Sequence, residues 1–128
     1  MKPVVLVVDD NADSREVTRV VLSDAGYECL EARDGIEAVE LTRSRGPAVV
    51  LMDVFMPHMD GITAAHQLRN DPQAPHPPIV VLTAHPTFLE AVSELFFAIL
   101  RKPCAPPQLL ATIARACTLA PSPQPAPP

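Results

Sequence analysis

The stretch VVLMDVFMPHMDG, residues 49–61, decides the fold. Four apolar residues, Val49, Val50, Leu51 and Met52, run straight into Asp53, and the chain then turns through Met56 and Pro57. A short apolar block of this kind, with no polar alternation, is the pattern of a strand buried on both faces. Such strands belong to parallel sheets covered by helices. An acid that closes one therefore stands at the rim of the sheet, where the chain leaves the core.

Outward from that stretch, strand-like and helix-like segments alternate. VVLVV (4–8) is a second apolar block, ended by Asp9 and Asp10. NADSREVTRVVLSDAG (11–26) places Val17, Val20, Val21 and Ala25 at helical spacing, with Asn11 or Asp13 as a cap and Gly26 as the stop. YECLEA (27–32) alternates as a strand, and DGIEAVELTRSRG (34–46) is a helix closed by Gly46 and Pro47. DGITAAHQLRND (60–71) reads as a helix with Asp60 near its N-cap, followed by a fourth strand in PIVVLTA (78–84). PTFLEAVSELF (86–96) is helical, AILRKP (98–103) is a short fifth strand, and PPQLLATIARACTL (106–119) is a last helix with prolines in its first turn. Five rounds of strand and helix predict an α/β, doubly wound parallel sheet, because right-handed crossovers put helices on both faces. In such sheets ligands bind beyond the carboxyl ends of the strands, where strand order reverses.

Composition fits one folded domain. The chain has 128 residues, 48% apolar and 20% charged, enough for one substantial core. A net charge of −5 without a basic cluster argues against direct nucleic-acid binding. No apolar run has the length of a membrane span, and MKPVVLVVDD meets two acids too early for a signal peptide, so a cytoplasmic protein is expected. Three cysteines without metal-ligand spacing are expected as reduced thiols. PSPQPAPP (121–128) carries five of the 16 prolines and no charge, which reads as a polyproline-type tail. The domain is accordingly expected over residues 1–119, with 120–128 as tail or linker.

The predicted strand ends bring five polar residues to one rim: Asp9 and Asp10 after the first strand, Asp53 after the third, Thr83 after the fourth and Lys102 after the fifth. Each alone has an ordinary explanation as a cap or a solvated residue. Together they define a chemistry. Two unit negative charges about 5 Å apart repel by roughly 3 kcal/mol at an effective dielectric of 20. Three carboxylates therefore call for a cation, and oxygen donors favour a hard ion such as Mg²⁺. Lys102 is a point charge suited to a phosphoryl oxygen, and the Thr83 hydroxyl donates to another. The set suits phosphoryl transfer to a carboxylate nucleophile.

VVLVVDDNADSR, VVLMDVFMPHMDG, VVLTA and ILRKP together resemble the receiver domain of bacterial response regulators, the phosphoacceptor module of two-component signalling. The resemblance covers residues 4 to about 119. It implies a flavodoxin-like sheet in strand order 2-1-3-4-5. It implies that Asp53 accepts a phosphoryl group from a histidine kinase or histidine phosphotransfer protein. Asp10 would ligate Mg²⁺ directly and Asp9 largely through water, with the Phe55 carbonyl as a further ligand. Thr83 and Lys102, with the backbone N–H groups of Phe55 and Ala84, would contact the phosphoryl oxygens. Pro57, Asp60 and Gly61 resemble structural residues of the loop. The implied output is a protein contact, with a downstream target or a second copy of the chain, through the face formed by the fourth helix, fifth strand and fifth helix. A stand-alone single-domain regulator is expected, with the N-terminal receiver of a longer protein as the alternative.

The sequence departs from the family pattern at three places. Ile99 stands where receivers usually carry Tyr or Phe, three residues before the lysine, and Ile has no ring to rotate. That departure raises a second alternative, a scaffold-type receiver with weakened switching. Alternation along the fifth strand puts Phe97 on the face of Ile99 and Phe96 on the other. The segment from Thr83 to Lys102 is about one helical turn shorter than in receivers, so the fourth helix is expected to be truncated or irregular. Leu95 and Phe96 then either join an exposed apolar patch or tuck into the core. Finally, Phe55 and His85 flank the site: an apolar Phe55 screens water and lengthens the phosphoryl lifetime, while His85 orients a water, contacts the kinase or simply faces solvent. A haloacid-dehalogenase-type phosphatase, the competing enzyme class, needs a second Asp two residues after the nucleophile. Phe55 occupies that position and cannot carry a proton.

Overall fold

A computed structural model describes residues 2–53, 61–72, 76–84 and 86–119. Strand β1 (Val4–Val8) leads through helix α1 (Ala12–Asp24) to β2 (Glu28–Ala32), and α2 (Gly35–Arg45) leads to β3 (Val49–Asp53). Helix α3 (Gly61–Asn70) precedes β4 (Ile79–Thr83), a 3₁₀ segment η1 (Pro86–Leu95) precedes β5 (Ala98–Arg101), and α4 (Pro106–Leu119) closes the described chain. The five strands form one parallel sheet in the order β2-β1-β3-β4-β5. The Pro-rich segment 120–128 and the Asp60 cap position lie outside the described residues.

Alternation along the central strands divides the core in two. Leu6, Val8, Val50, Met52, Ile79 and Val81 face α2, α3 and η1. Val5, Val7, Val49, Leu51, Val80 and Leu100 face α1 and α4, where Ile113 is fully buried. A side chain of that size contributes roughly 1.5–3 kcal/mol on burial. The fully apolar runs in β1 and β3 are thus accounted for, since both of their faces are covered. Local signals close the helices. Asn11 caps α1 by accepting a hydrogen bond from the Ser14 N–H, and Asp34 caps α2 through the Glu37 N–H. Gly46 ends α2 in the left-handed conformation (φ 55°) that a glycine adopts without steric cost.

The segment before β5 is not an α-helix but 3₁₀ turns with a break at Val92 (φ −121°, ψ 21°). A 3₁₀ turn advances about 2.0 Å per residue against 1.5 Å in an α-helix, so a short connection covers more length that way. Phe96 tucks into the core with Leu89, and Leu95 packs partly buried against them. The expected pairing of Phe97 with Ile99 is wrong. Ile99 belongs to the α2–α3 side, whereas Phe97 packs on the α1–α4 side, under the Arg115 guanidinium. β5 begins only at Ala98, and strand alternation does not extend back through the bend at Phe97.

Candidate functional site

The parallel register sets the site. Val8 pairs with Met52 on the neighbouring strand, so Asp9 and Asp53 come level at the end of β1 and β3. Strand order reverses between these two strands, since β2 lies outside β1 and the chain returns to place β3 on its other side. Asp9, Asp10 and Asp53 each offer a carboxylate oxygen, and these oxygens lie within 4.8 Å of one another. Asp9 is buried, Asp53 is partly buried and Asp10 is exposed. Asp9 and Asp53 share a small cleft, with room for about one water (≈ 10 Å³), with Val7, Leu51, Leu82, Thr18 and Lys102 among others.

Each acid is held differently. The Asp9 N–H donates to the Ala32 carbonyl (3.0 Å), and its carboxylate accepts from the Asn11 N–H (2.9 Å). Asp53 is the last residue of β3, with Lys102 Nζ 3.1 Å from its Oδ2. Lys102 is placed by its own backbone, whose N–H donates to the Thr83 carbonyl (2.8 Å). Thr83 is buried at the end of β4, one register step beyond the residue paired with Asp53. Counting by two from Val81 and Leu51, Thr83 starts from the α2–α3 face and Asp53 from the α1–α4 face. Ile99, paired in register with Val81, shares the Thr83 face and packs against the cluster that holds Leu89 and Phe96. Ala84 is exposed just beyond β4. Phe55 and His85 lie outside the described residues.

The donor set fits a divalent cation. Three carboxylates offer only hard oxygen ligands at a spacing one ion spans, and their mutual repulsion is relieved by its charge. The arrangement sets a partly buried carboxylate, a donor set suited to a hard cation and an ammonium beside the same oxygens. A combination of this kind suits the stabilisation of charge on a phosphoryl group.

Arg15 also contributes to the site. Arg15, on the first turns of α1, donates from Nη1 to the Asp9 carbonyl (2.7 Å) and from Nε to Glu31 Oε1 (2.9 Å). Its position four residues after the Asn11 cap was the available signal, because that spacing returns a helical side chain to the strand end.

Known proteins share this fold. The family described as response regulator receiver domain matches residues 5–114. A response regulator MprA from Mycobacterium sp. (strain KMS) is 42% identical over 91 residues, 71% of this chain and 39% of its own length. The chain spans between 39% and 65% of the length of this and similar curated relatives. Chemotaxis response regulator CheY4 of Vibrio cholerae superposes with a TM-score of 0.82 at 33% identity, covering 91% of this chain and 99% of that one. The receiver domain of sensor histidine kinase PA1611 from Pseudomonas aeruginosa PAO1, solved with a magnesium ion coordinated in the active site cleft, gives 0.80 at 25% identity, covering 92% and 99%.

Proposed function

This chain belongs to the response regulator receiver domain family, and from that premise we propose that it is a phosphorylation-dependent switch with Asp53 as the acceptor. The observation that carries the reading is the convergence of Asp9, Asp10 and Asp53 within 4.8 Å, with Lys102 Nζ on Asp53. An Asp53 carboxylate oxygen attacks the phosphorus of a phosphohistidine on a kinase or phosphotransfer protein. The phosphorus–nitrogen bond breaks, the imidazole leaves with the electron pair and takes up a proton, and an acyl phosphate forms on Asp53. Lys102 accompanies the transferred oxygens as a fixed cation, and the Thr83 hydroxyl donates to another of them. Asp9, Asp10 and Asp53, with the Phe55 carbonyl, would hold Mg²⁺, which supplies charge neutralisation at the phosphoryl oxygens when bound. The Phe55 and Ala84 N–H groups complete the phosphoryl contacts in this reading. Hydrolysis of the acyl phosphate returns the switch, so the chain turns over no separate substrate.

The output is a protein contact on the face of η1, β5 and α4, made to a downstream target or a second copy. The receiver unit comprises residues 1–119, with 120–128 as tail or linker. The switch acts either alone or as the N-terminal receiver of a longer regulator, and the MprA relatives, of whose length the match covers only 39%, support keeping the latter. Ile99 supports one further reading, a scaffold-type receiver with weakened switching, because it offers Thr83 no ring to follow.

Intact-mass spectrometry after treatment with a small phosphodonor tests the proposal. A base-labile phosphoryl adduct that needs Mg²⁺ and is lost in Asp53→Asn is the expected result. Multiple turnover of unrelated phosphoesters would favour an enzyme, and no adduct under any condition would favour the scaffold.

A further inference from the structure

Arg15 is a cation set beside a cation site, and its placement is specific. Its side chain is only 18% exposed. Rather than pairing with the Asp9 carboxylate, Nη1 donates to the Asp9 backbone carbonyl at 2.7 Å. Nε is anchored on Glu31 Oε1 at 2.9 Å, and the other Glu31 oxygen lies 3.4 Å from Arg19 Nε. Glu31 itself sits on the edge strand β2, in register with Val7 of β1.

We propose that Arg15 is a positioning residue for divalent-cation binding: it locks the peptide plane between Asp9 and Asp10 and so sets the reach of the Asp10 carboxylate. The inference rests on reading the acidic cluster as a Mg²⁺ site. A peptide unit is rigid, so fixing its carbonyl fixes the plane that carries the Asp10 nitrogen. On the other side of Asp9, the N–H is already held by Ala32. Asp10 is exposed, and among the described residues no side-chain hydrogen bond holds its carboxylate. Its direction therefore depends on the backbone beneath it, and Arg15 restrains that backbone from the α1 side.

Electrostatics and positioning make opposite predictions. Removing a positive charge near the site should, by Coulomb's law alone, tighten the binding of any cation. Loss of positioning should weaken binding, and more for an ion that demands regular geometry. Mg²⁺ requires near-octahedral coordination, whereas Ca²⁺ accepts irregular oxygen cages.

Calorimetric titration of the full chain with MgCl₂ and with CaCl₂ decides between them. Arg15→Met should weaken Mg²⁺ binding about tenfold, the lower end of what outer-shell partners of metal ligands contribute, and Ca²⁺ binding by less than about twofold. Arg15→Lys should fall between, since lysine keeps the charge but loses the planar fork that serves two acceptors. Glu31→Gln should weaken Mg²⁺ binding in the same direction, and Arg19→Met should leave it unchanged. If Arg15→Met does not fold by circular dichroism, the Arg15→Lys protein carries the same test, since it keeps the charge and loses only the fork. Unchanged or tighter Mg²⁺ binding in the Arg15 variants, or equal losses for both ions, overturns the inference. A wild-type chain that binds neither ion overturns the metal-site reading itself together with this inference.

Discussion

Lys102 Nζ reaches Asp53 Oδ2 at 3.1 Å across an intervening strand. β3 and β5 are separated by β4, about 9–10 Å from axis to axis at the usual strand spacing. The lysine therefore spans the rim rather than pairing with a neighbour. Its ammonium occupies the side of Asp53 where an incoming phosphoryl oxygen would also seek positive charge.

The variant Lys102→Ala should still accept a phosphoryl group on Asp53 but respond to it weakly, because the transferred oxygen loses its cation. Amide NMR shifts on beryllofluoride binding measure the response, and shifts as large as in the wild type would contradict it. The same variant should bind Mg²⁺ roughly fivefold more tightly, near the ~1 kcal/mol upper end for a partly exposed ion pair. Calorimetry reads that change, opposite in sign to the loss expected at Arg15.

A stability prediction concerns Arg43 and Asp71. Arg43 Nε pairs with the carboxylate of Asp71, a buried acid just after α3. Arg43→Ala should lower unfolding free energy by about 1–3 kcal/mol, because a buried carboxylate then loses a charged partner. The double variant Arg43→Met, Asp71→Leu should be less destabilised than Arg43→Ala alone, since it leaves no buried charge behind. Urea midpoints compared across the two proteins give the answer.

The cysteines give a pH dependence. Burial pushes the Cys29 thiol above its ordinary range, and does the same for Cys104 and Cys117. The folded chain thus holds these protons more tightly than the unfolded chain. Stability linked to them is fully present below the unfolded thiol pKa and is lost as pH rises through the higher folded values. Thiol labelling at pH 8 should be several-fold slower in the native protein than in urea, because less thiolate is present. Equal rates in the two conditions would refute the assignment.

Phe55 carries the expectation of a long-lived phosphoryl group. Loss of label from isolated, phosphorylated protein should take minutes or longer, and Phe55→Asn should shorten it several-fold by admitting water near the acyl phosphate. Decay within seconds in the unmodified chain would sink the expectation.

Much of this architecture was legible in the sequence for a physical reason. β1, β3 and β4 are covered on both faces, so they read as unbroken apolar blocks, and parallel connections then bring Asp9, Asp53 and Thr83 to one rim whatever the loops do. Helix caps at Asn11 and Gly46 were legible because their chemistry is local. The segment before β5 was harder, since apolar spacing in PTFLEAVSELF suits a helix while the length of the connection favours 3₁₀ turns. Phe97 was misplaced because alternation was carried one residue past the start of the strand. Arg15 is marked in the sequence only by its spacing from the Asn11 cap, because its partner at the site is a backbone carbonyl, and carbonyls carry no residue-specific mark.

The three clustered acids have a thermal consequence. Unfolding separates like charges that the native chain forces together, so this corner of the molecule favours melting when salts are dilute. Any cation that settles there binds the native chain alone and raises its stability by mass action, about 2.7 kcal/mol at a hundredfold excess over its Kd. The melting temperature of this small protein should therefore track the ionic composition of its surroundings.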